Sequence, residues 1–189
     1  KPSDSKGYIR VRDYYNSLPL SKRDPRLLYT VILYGYNQQI RFNGGYKFNN
    51  PVGMRWFNNK VLEKMISFSR IMKEKKVIFK SKEYTELEDY DNKNVFIYMD
   101  PPYRLTNGSY NDGKRGFKGW NREDEETLFD FANKLNSHGK RFMISYVPKH
   151  KGKINNPLKE WVKRTGYSLI NIKNIPGINR KEVLIVNYK

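Results

Sequence analysis

Apolar residues recur at helical spacing in four stretches of the chain. The first follows Asp24 and Pro25, a capping residue and a proline suited to a first turn. The second, 58–75, ends in a lysine-rich turn that complements the helix dipole. The third begins after Asn121 with four acidic residues in its first turn, and the fourth spans 156–166. The apolar positions of the first stretch are Leu27–Leu33, and those of the second are Leu62, Met65, Ile66 and Met72. In the third they are Leu128, Phe131, Ala132 and Leu135.

Shorter runs of β-branched and aromatic residues predict strands. They are "VIFK" at 77–80, "VFIYM" at 95–99, "RFMISY" at 141–146, "YSLINIK" at 167–173 and "EVLIVNY" at 182–188. The run at 95–99 is apolar without interruption, which predicts a strand buried on both faces. Helices alternate with these strands until two strands close the chain. The order predicts an α/β sheet with a terminal antiparallel hairpin.

A polar segment with many turn residues lies between the first two helices. "QQIRFNGGYKFNNPVGMRW", residues 38–56, predicts a β-hairpin with Gly44 and Gly45 at its tip, closed by Pro51 and Gly53. The chain therefore divides into a helix, hairpin and helix subdomain at 1–76 and an α/β core at 77–189.

The charge balance indicates a polyanionic partner. The 189 residues contain 37 Lys and Arg against 19 Asp and Glu, a formal net charge of +18. Such an excess favours nucleic acid first and an anionic membrane surface second. No apolar run is long enough to span a membrane, and the chain has no Cys and two His, so we expect a cytoplasmic protein without a metal site.

One strand ends in an unusual sequence. Residues 95–99 run directly into Asp100-Pro101-Pro102-Tyr103. Consecutive prolines lack N–H donors and fix φ, so they continue neither a helix nor a sheet ladder. They stiffen the chain at the carboxyl end of a strand, where open α/β sheets bind their ligands.

These residues resemble the catalytic motif of amino-directed methyltransferases. "LYGYNQQIRFNGGYKFNNPVG" is similar to the target-recognition hairpin of the Dam-type (D12 class) DNA adenine-N6 methyltransferases, and "EVLIVNY" is similar to their closing strand. The order of hairpin and then motif is also that of the family. The resemblance implies a Rossmann-like S-adenosylmethionine methyltransferase sheet with an inserted recognition subdomain, double-stranded DNA as partner, and a Dam-like or restriction-modification system in a bacterium, archaeon or phage.

The resemblance assigns the catalytic role to Asp100, Pro101, Pro102 and Tyr103. The exocyclic amine of adenine is a poor nucleophile because its lone pair is delocalised into the ring. Asp100 and the Pro101 carbonyl would accept its two N–H bonds and localise the lone pair, and the prolines would hold that carbonyl in place. Tyr103 would stack on the extruded base. The alternative is a turn in which Asp100 caps and Tyr103 packs.

The resemblance also implies binding residues. Glu83 and Tyr84 align with an acidic and aromatic pair that contacts the cofactor's adenine, and Asp100 completes the cofactor side; an exposed loop carboxylate beside an edge tyrosine is the alternative. The DNA-contacting positions fall on the hairpin or on the two residues before it, where the alternative is a polar turn with a solvent-exposed arginine. They are Tyr36 and Asn37, which contact or wedge the DNA, and Arg41, Asn43 and Pro51, near the recognised bases.

One family element has no counterpart in this sequence. The Phe-x-Gly-x-Gly strand and turn that holds the methionine part of S-adenosylmethionine is absent. We therefore expect the front strands to come from a separate or missing N-terminal segment, and the chain to be inactive without it. Two other functions stay open: a non-catalytic DNA-binding remnant, which would not bind S-adenosylmethionine, and an RNA adenine methyltransferase.

Overall fold

The computed structural model describes residues 5–87, 94–106, 120–172 and 180–189. Their contacts separate two compact units. We call residues 5–80 the N-terminal unit, and the described residues from 81 onward the C-terminal unit. Within the described residues, none of the helices has the length and apolar character needed to cross a membrane.

The N-terminal unit consists of helices and irregular chain. Asp24 caps the second helix through the backbone N–H of Arg26, and the Asn58 side chain caps the third through Val61 N–H, because these oxygens accept donors that a first helical turn leaves unpaired. The α-helices are α1 (Ser5–Ser17), α2 (Pro25–Tyr34) and α3 (Asn59–Glu74), with 3-10 turns at Leu20–Lys22 and Tyr36–Gln38.

The predicted hairpin is present as two isolated antiparallel bridges, Gly35 with Val52 and Phe42 with Phe48. Asn16 of α1 substitutes for a further strand. Its side chain donates to the carbonyl of Phe48 (2.9 Å) and accepts from the N–H of Phe48 (2.7 Å). The segment is thus fixed by a helix and not by a long ladder. The buried core beneath it comprises Tyr8, Tyr15, Val31, Phe42 and Phe48.

The C-terminal unit is a mixed five-stranded sheet with two helices. Strand β1 pairs parallel with β2, β2 pairs antiparallel with β5, and β5 with β4, while β3 pairs with β2. The elements are β1 (Phe96–Met99), α4 (Arg122–Ser137), β2 (Arg141–His150), β3 (Lys153–Ile154), α5 (Asn156–Thr165), β4 (Ser168–Asn171) and β5 (Arg180–Val186), with 3-10 turns at Tyr84–Glu86 and Arg104–Thr106.

Helices α4 and α5 cover one face of this sheet. Phe129 of α4 stacks on Trp161 of α5, with ring centroids 4.3 Å apart. Because side chains alternate along a strand, only every second strand residue reaches the helices. The buried strand residues in that core are Met99, Phe142, Ile144, Tyr146, Val183 and Ile185. The mixed α/β fold and the terminal antiparallel pair of strands are as the sequence predicts.

Two strand predictions were wrong. Residues 77–80 are described but form no strand, and Ile78 and Phe79 are exposed. A β-rich sequence forms a strand only where a neighbouring strand accepts its hydrogen bonds. The strand at 96–99 is buried on one face only, since Phe96 and Tyr98 are 52% and 56% exposed on the other.

A buried carboxylate connects four elements of the C-terminal unit. Glu125 of α4 is fully buried and forms an ion pair with Arg104 Nε (2.9 Å), in the turn after the two prolines. Its other oxygen accepts from the Tyr146 hydroxyl of β2 (2.7 Å) and from the side-chain amide of Asn155, the N-cap of α5. Arg104 Nη2 also donates to Asn155 Oδ1 (2.8 Å). We call Glu125, Arg104, Tyr146 and Asn155 the Glu125 network.

We expect Glu125→Ala to lower the free energy of unfolding by about 3–5 kcal/mol, because it leaves the charge of Arg104 partly buried without its partner. Urea denaturation measures the change. Glu126→Ala is the matched control: it removes the neighbouring carboxylate of α4, whose pair with Arg122 is solvent-exposed, and should cost no more than about 1 kcal/mol. Equal losses in the two variants would contradict a special role for the buried pair.

Candidate active site

Asp100 lies at the carboxyl end of β1, directly beside β2. The register aligns Met99 with Ile144, so the chain brings Asp100 and Ser145 to neighbouring positions at the end of the parallel pair. Asp100 is exposed, whereas Pro101, Pro102 and Tyr103 are half-buried. The four predicted catalytic residues therefore lie together at the end of β1, and the Asp100 carboxylate is exposed to solvent.

Tyr103 connects Asp100 to the sheet. Its hydroxyl donates to Asp100 Oδ1 (3.0 Å) and lies 2.8 Å from Ser145 Oγ. A phenol has one proton, so the donation to Asp100 makes Ser145 the donor to Tyr103. The resulting chain of hydrogen bonds fixes one oxygen of the Asp100 carboxylate, and within the described residues no group donates to its other oxygen.

Burial, with the Asp100 carboxylate adding to it, raises the pKa of Tyr103 to about 12. A tyrosine is already protonated at neutral pH, and the raised pKa extends the protonated range into alkaline solution, so the phenol remains a donor to Asp100. The pKa of Tyr146 is raised as well, by burial first and by the hydrogen bond to Glu125 second. The two rings meet edge to face with centroids 5.7 Å apart, so the Tyr103 ring packs on a side chain that the Glu125 network holds.

Sequence reasoning missed Ser145 and the Glu125 network. Arg104 directly follows the motif, and Glu125 shares the helical phase of Leu128, Ala132 and Leu135. A carboxylate on the buried face of a helix needs a partner for its charge, so the sequence could have predicted an ion pair for Glu125. Ser145 and Asn155 gave no such signal, because only the fold brings them to Tyr103 and Arg104.

The predicted cofactor pair lies in the turn before β1. Glu83 is exposed, and the Tyr84 ring packs edge to face on Phe131 of α4 with centroids 5.2 Å apart. Burial is the largest cause of the raised pKa of Tyr84, followed by the charges of Asp124 and Glu83. Tyr84 thus packs against the core, while the carboxylate beside it is exposed.

The predicted DNA-contacting residues all lie in the N-terminal unit. Tyr36, Asn37, Arg41 and Pro51 are exposed. Asn43 is half-buried, and its Oδ1 accepts from the backbone N–H groups of Gly45 (3.0 Å) and Lys47 (3.1 Å). Asn43 therefore closes the hairpin tip, which leaves its amide nitrogen as the group for any base contact.

Comparison with known proteins gives consistent matches. The family model described as D12 class N6 adenine-specific DNA methyltransferase matches residues 1–178. The modification methylase LlaI of Lactococcus lactis subsp. lactis is 38% identical over 183 residues, which are 96% of this chain and 29% of that protein. The type II methyltransferase M.FokI of Planomicrobium okeanokoites is 38% identical over 197 residues, 98% of this chain and 30% of that protein.

The modification methylase StsI of Streptococcus sanguinis is 37% identical over 194 residues, again 96% of this chain and 29% of the relative. The chain thus spans less than a third of the length of these three proteins. The family match covers both units and includes the hairpin and the Asp100 motif. The resemblance predicted from those residues is confirmed, and the chain belongs to the D12 class of N6 adenine-specific DNA methyltransferases.

Proposed function

We propose that the protein transfers a methyl group from S-adenosylmethionine to the N6 amine of an adenine extruded from duplex DNA, in a restriction-modification system. The observation that carries the proposal is the exposed Asp100 carboxylate, held by Tyr103 and Ser145 at the end of β1. The names of the relatives, modification methylases and a type II methyltransferase, support the same activity and the same kind of system.

The proposed chemistry depends on two acceptors for the adenine amine. Asp100 Oδ2 accepts one N–H and the Pro101 carbonyl accepts the other, which localises the nitrogen lone pair towards the methyl donor. The two prolines restrict the direction of that carbonyl, so little reorganisation accompanies the reaction. Asp100 or solvent takes the proton that the amine loses. Tyr103 would have two roles: its hydroxyl orients Asp100, and its ring stacks on the base.

Glu83 and Tyr84 fit the adenosine part of the cofactor. An exposed carboxylate accepts N–H or O–H donors, and a tyrosine ring held against Phe131 offers a rigid apolar surface. When bound, S-adenosylmethionine supplies an electrophilic methyl group. Glu83 and Tyr84 would position it, and the negative charge of Asp100 would favour the sulfonium cation nearby.

We propose further that a strand carrying the Gly-rich cofactor motif pairs with the outer edge of β1. Among the described strands β1 has one neighbour, β2, and its Phe96 and Tyr98 side chains are half exposed. A parallel strand of an α/β sheet is normally paired on both edges and covered on both faces. Pairing there would bring the Gly-rich turn to the same end of the sheet as Asp100.

Sequence recognition would come from the hairpin. Arg41 is exposed at the base of the Phe42–Phe48 bridge, where Asn49 N–H donates to its carbonyl (3.0 Å) and fixes the backbone. A guanidinium on a fixed backbone binds the O6 and N7 atoms of guanine in the major groove through two hydrogen bonds. The excess of basic residues supplies the phosphate contacts that hold the duplex irrespective of sequence.

We expect Asp100→Ala to reduce methyl transfer by the protein in its natural length by at least about a hundredfold, the usual cost of losing one group that stabilises developing charge. Labelled S-adenosylmethionine measures transfer, and fluorescence anisotropy measures binding of the duplex. Affinity should stay nearly constant, because the carboxylate faces the amine and not the phosphates.

Asp130→Ala is the control for this experiment. It removes an exposed carboxylate of α4, so the change in net charge is the same. We expect near-normal transfer by this variant. Near-normal transfer by Asp100→Ala would show that the mechanism is wrong.

We expect Arg41→Ala to reduce discrimination at one base pair by about 1–3 kcal/mol, because it removes a contact to a base edge. Lys47→Ala, an exposed charge on the same hairpin, should instead weaken binding to all sequences and lower the salt dependence by about one phosphate contact. Binding of duplexes from a randomised pool measures both effects. If Arg41→Ala lowers the affinity for every duplex sequence equally, Arg41 contacts a phosphate and not a base.

A further inference from the structure

The turn that follows α2 has an unfavourable backbone conformation. Asn37 and Gln38 both have positive φ, 49° and 55°. Asparagine tolerates the left-handed region better than most residues, but glutamine has no such preference, and two adjacent non-glycine residues there are uncommon. A conformation of this kind persists only where the surrounding structure holds it.

The side chain of Asn50 provides the holding contacts. Asn50 is buried, and its amide nitrogen donates to the carbonyl of Tyr36 (2.8 Å) and to that of Gln39 (3.2 Å). The two acceptors flank Asn37 and Gln38 on either side. One amide group therefore clamps both ends of the left-handed pair.

Asn50 is itself held in place. The Tyr8 hydroxyl of α1 donates to its carbonyl (2.7 Å), a hydrogen bond inside the core of the N-terminal unit. The next residue, Pro51, accepts from Tyr36 N–H (2.8 Å). These bonds connect the turn to the helical core through Asn50.

The neighbouring glycines leave room for this clamp. A Cβ on Gly35 would lie 2.7 Å from the Asn50 amide nitrogen, and a Cβ on Gly53 would lie 2.4 Å from the carbonyl oxygen of Gly35. Any side chain at either position would displace the amide or the two backbones that meet there. Glycine at positions 35 and 53 therefore leaves the space that the Asn50 side chain occupies.

We propose that Asn50 is a positioning residue for DNA recognition, which holds the left-handed turn at Asn37 and Gln38 so that Tyr36 is presented to the bases of a duplex. Tyr36 is 53% exposed although its own carbonyl and N–H are both bound, so the ring projects from a fixed backbone. A preorganised aromatic ring loses little conformational freedom when it inserts beside a base. The inference rests on the proposed function for its DNA partner.

The first experiment tests the clamp without DNA. Asn50→Asp keeps the shape of the side chain but turns its donor into an acceptor that faces two carbonyl oxygens. Three-bond HN–Hα couplings and backbone chemical shifts measured on the free chain report φ at Asn37 and Gln38. We expect both residues to leave the left-handed region in the variant, and Asn50→Ala gives the same result without an added charge.

Asn58→Asp is the matched control. It introduces the same charge in the same unit, and aspartate is as good an N-cap for α3 as asparagine. We expect positive φ at Asn37 and Gln38 to persist in this control. Positive φ that persisted in Asn50→Asp or Asn50→Ala as well would overturn the clamp.

The second experiment tests whether the clamp acts through Tyr36. The probe is a duplex that the unaltered chain selects from a randomised pool. We expect Asn50→Asp to weaken binding on the order of tenfold in the native background, yet to have little further effect in a Tyr36→Ala background. A merely structural role would give the same loss in both backgrounds and would overturn the proposal.

The two experiments also separate this inference from the proposed function. If Tyr36→Ala leaves duplex affinity unchanged, Tyr36 does not contact DNA; the positioning role for DNA then fails, even if the φ measurements confirm the clamp. The methyl-transfer assay with Asp100→Ala does not depend on either result. That assay therefore tests the proposed reaction and not the role of Asn50.

Discussion

The C-terminal unit depends on one buried carboxylate. Glu125 is fully buried and satisfies its charge with Arg104, Tyr146 and Asn155, which belong to the turn after the motif, to β2 and to the start of α5. A buried charge is tolerated only when such partners surround it, so these elements fold as a set or leave Glu125 uncompensated. The Tyr103 ring packs on Tyr146, and its hydroxyl binds Asp100. The geometry proposed for the chemistry therefore depends on the buried ion pair of Arg104 and Glu125.

Much of the fold was readable from local sequence. Capping residues and apolar spacing predict α2, α3, α4 and α5 because each helix carries its own start signal and apolar face. Helix α1 was missed, since it buries only Tyr8 and Tyr15 and is fixed by tertiary bonds from Tyr8 and Asn16. The strand predicted at 77–80 failed for the converse reason, as its β-rich sequence has no partner among the described residues. Local sequence therefore predicts a helix or strand only where tertiary contacts do not determine whether it forms.

The candidate site divides in the same way. The stretch from Asp100 to Tyr103 drew attention because two prolines follow an apolar strand, and its predicted role came from its resemblance to the family's motif. Ser145 lies 42 residues from Tyr103, and Asn155 lies 51 residues from Arg104, so their contacts depend on strand register and helix packing. On the hairpin, sequence reasoning selected exposed residues such as Tyr36 and Arg41 but not Asn50, the buried amide that holds the turn. Residues proposed to touch a substrate are thus easier to recognise from sequence than the residues that hold them in place.

We propose that this site methylates the amine of adenine. The most direct measurement is nucleoside analysis by mass spectrometry of duplex DNA incubated with the protein in its natural length and S-adenosylmethionine labelled in its methyl group. We expect the label to be recovered as N6-methyladenine, and we expect unlabelled N6-methylation of the site beforehand to prevent its incorporation. Label recovered in cytosine, whose exocyclic amine offers two N–H bonds of the same kind, would contradict the claim, as would DNA that remains unlabelled while the protein binds both duplex and cofactor.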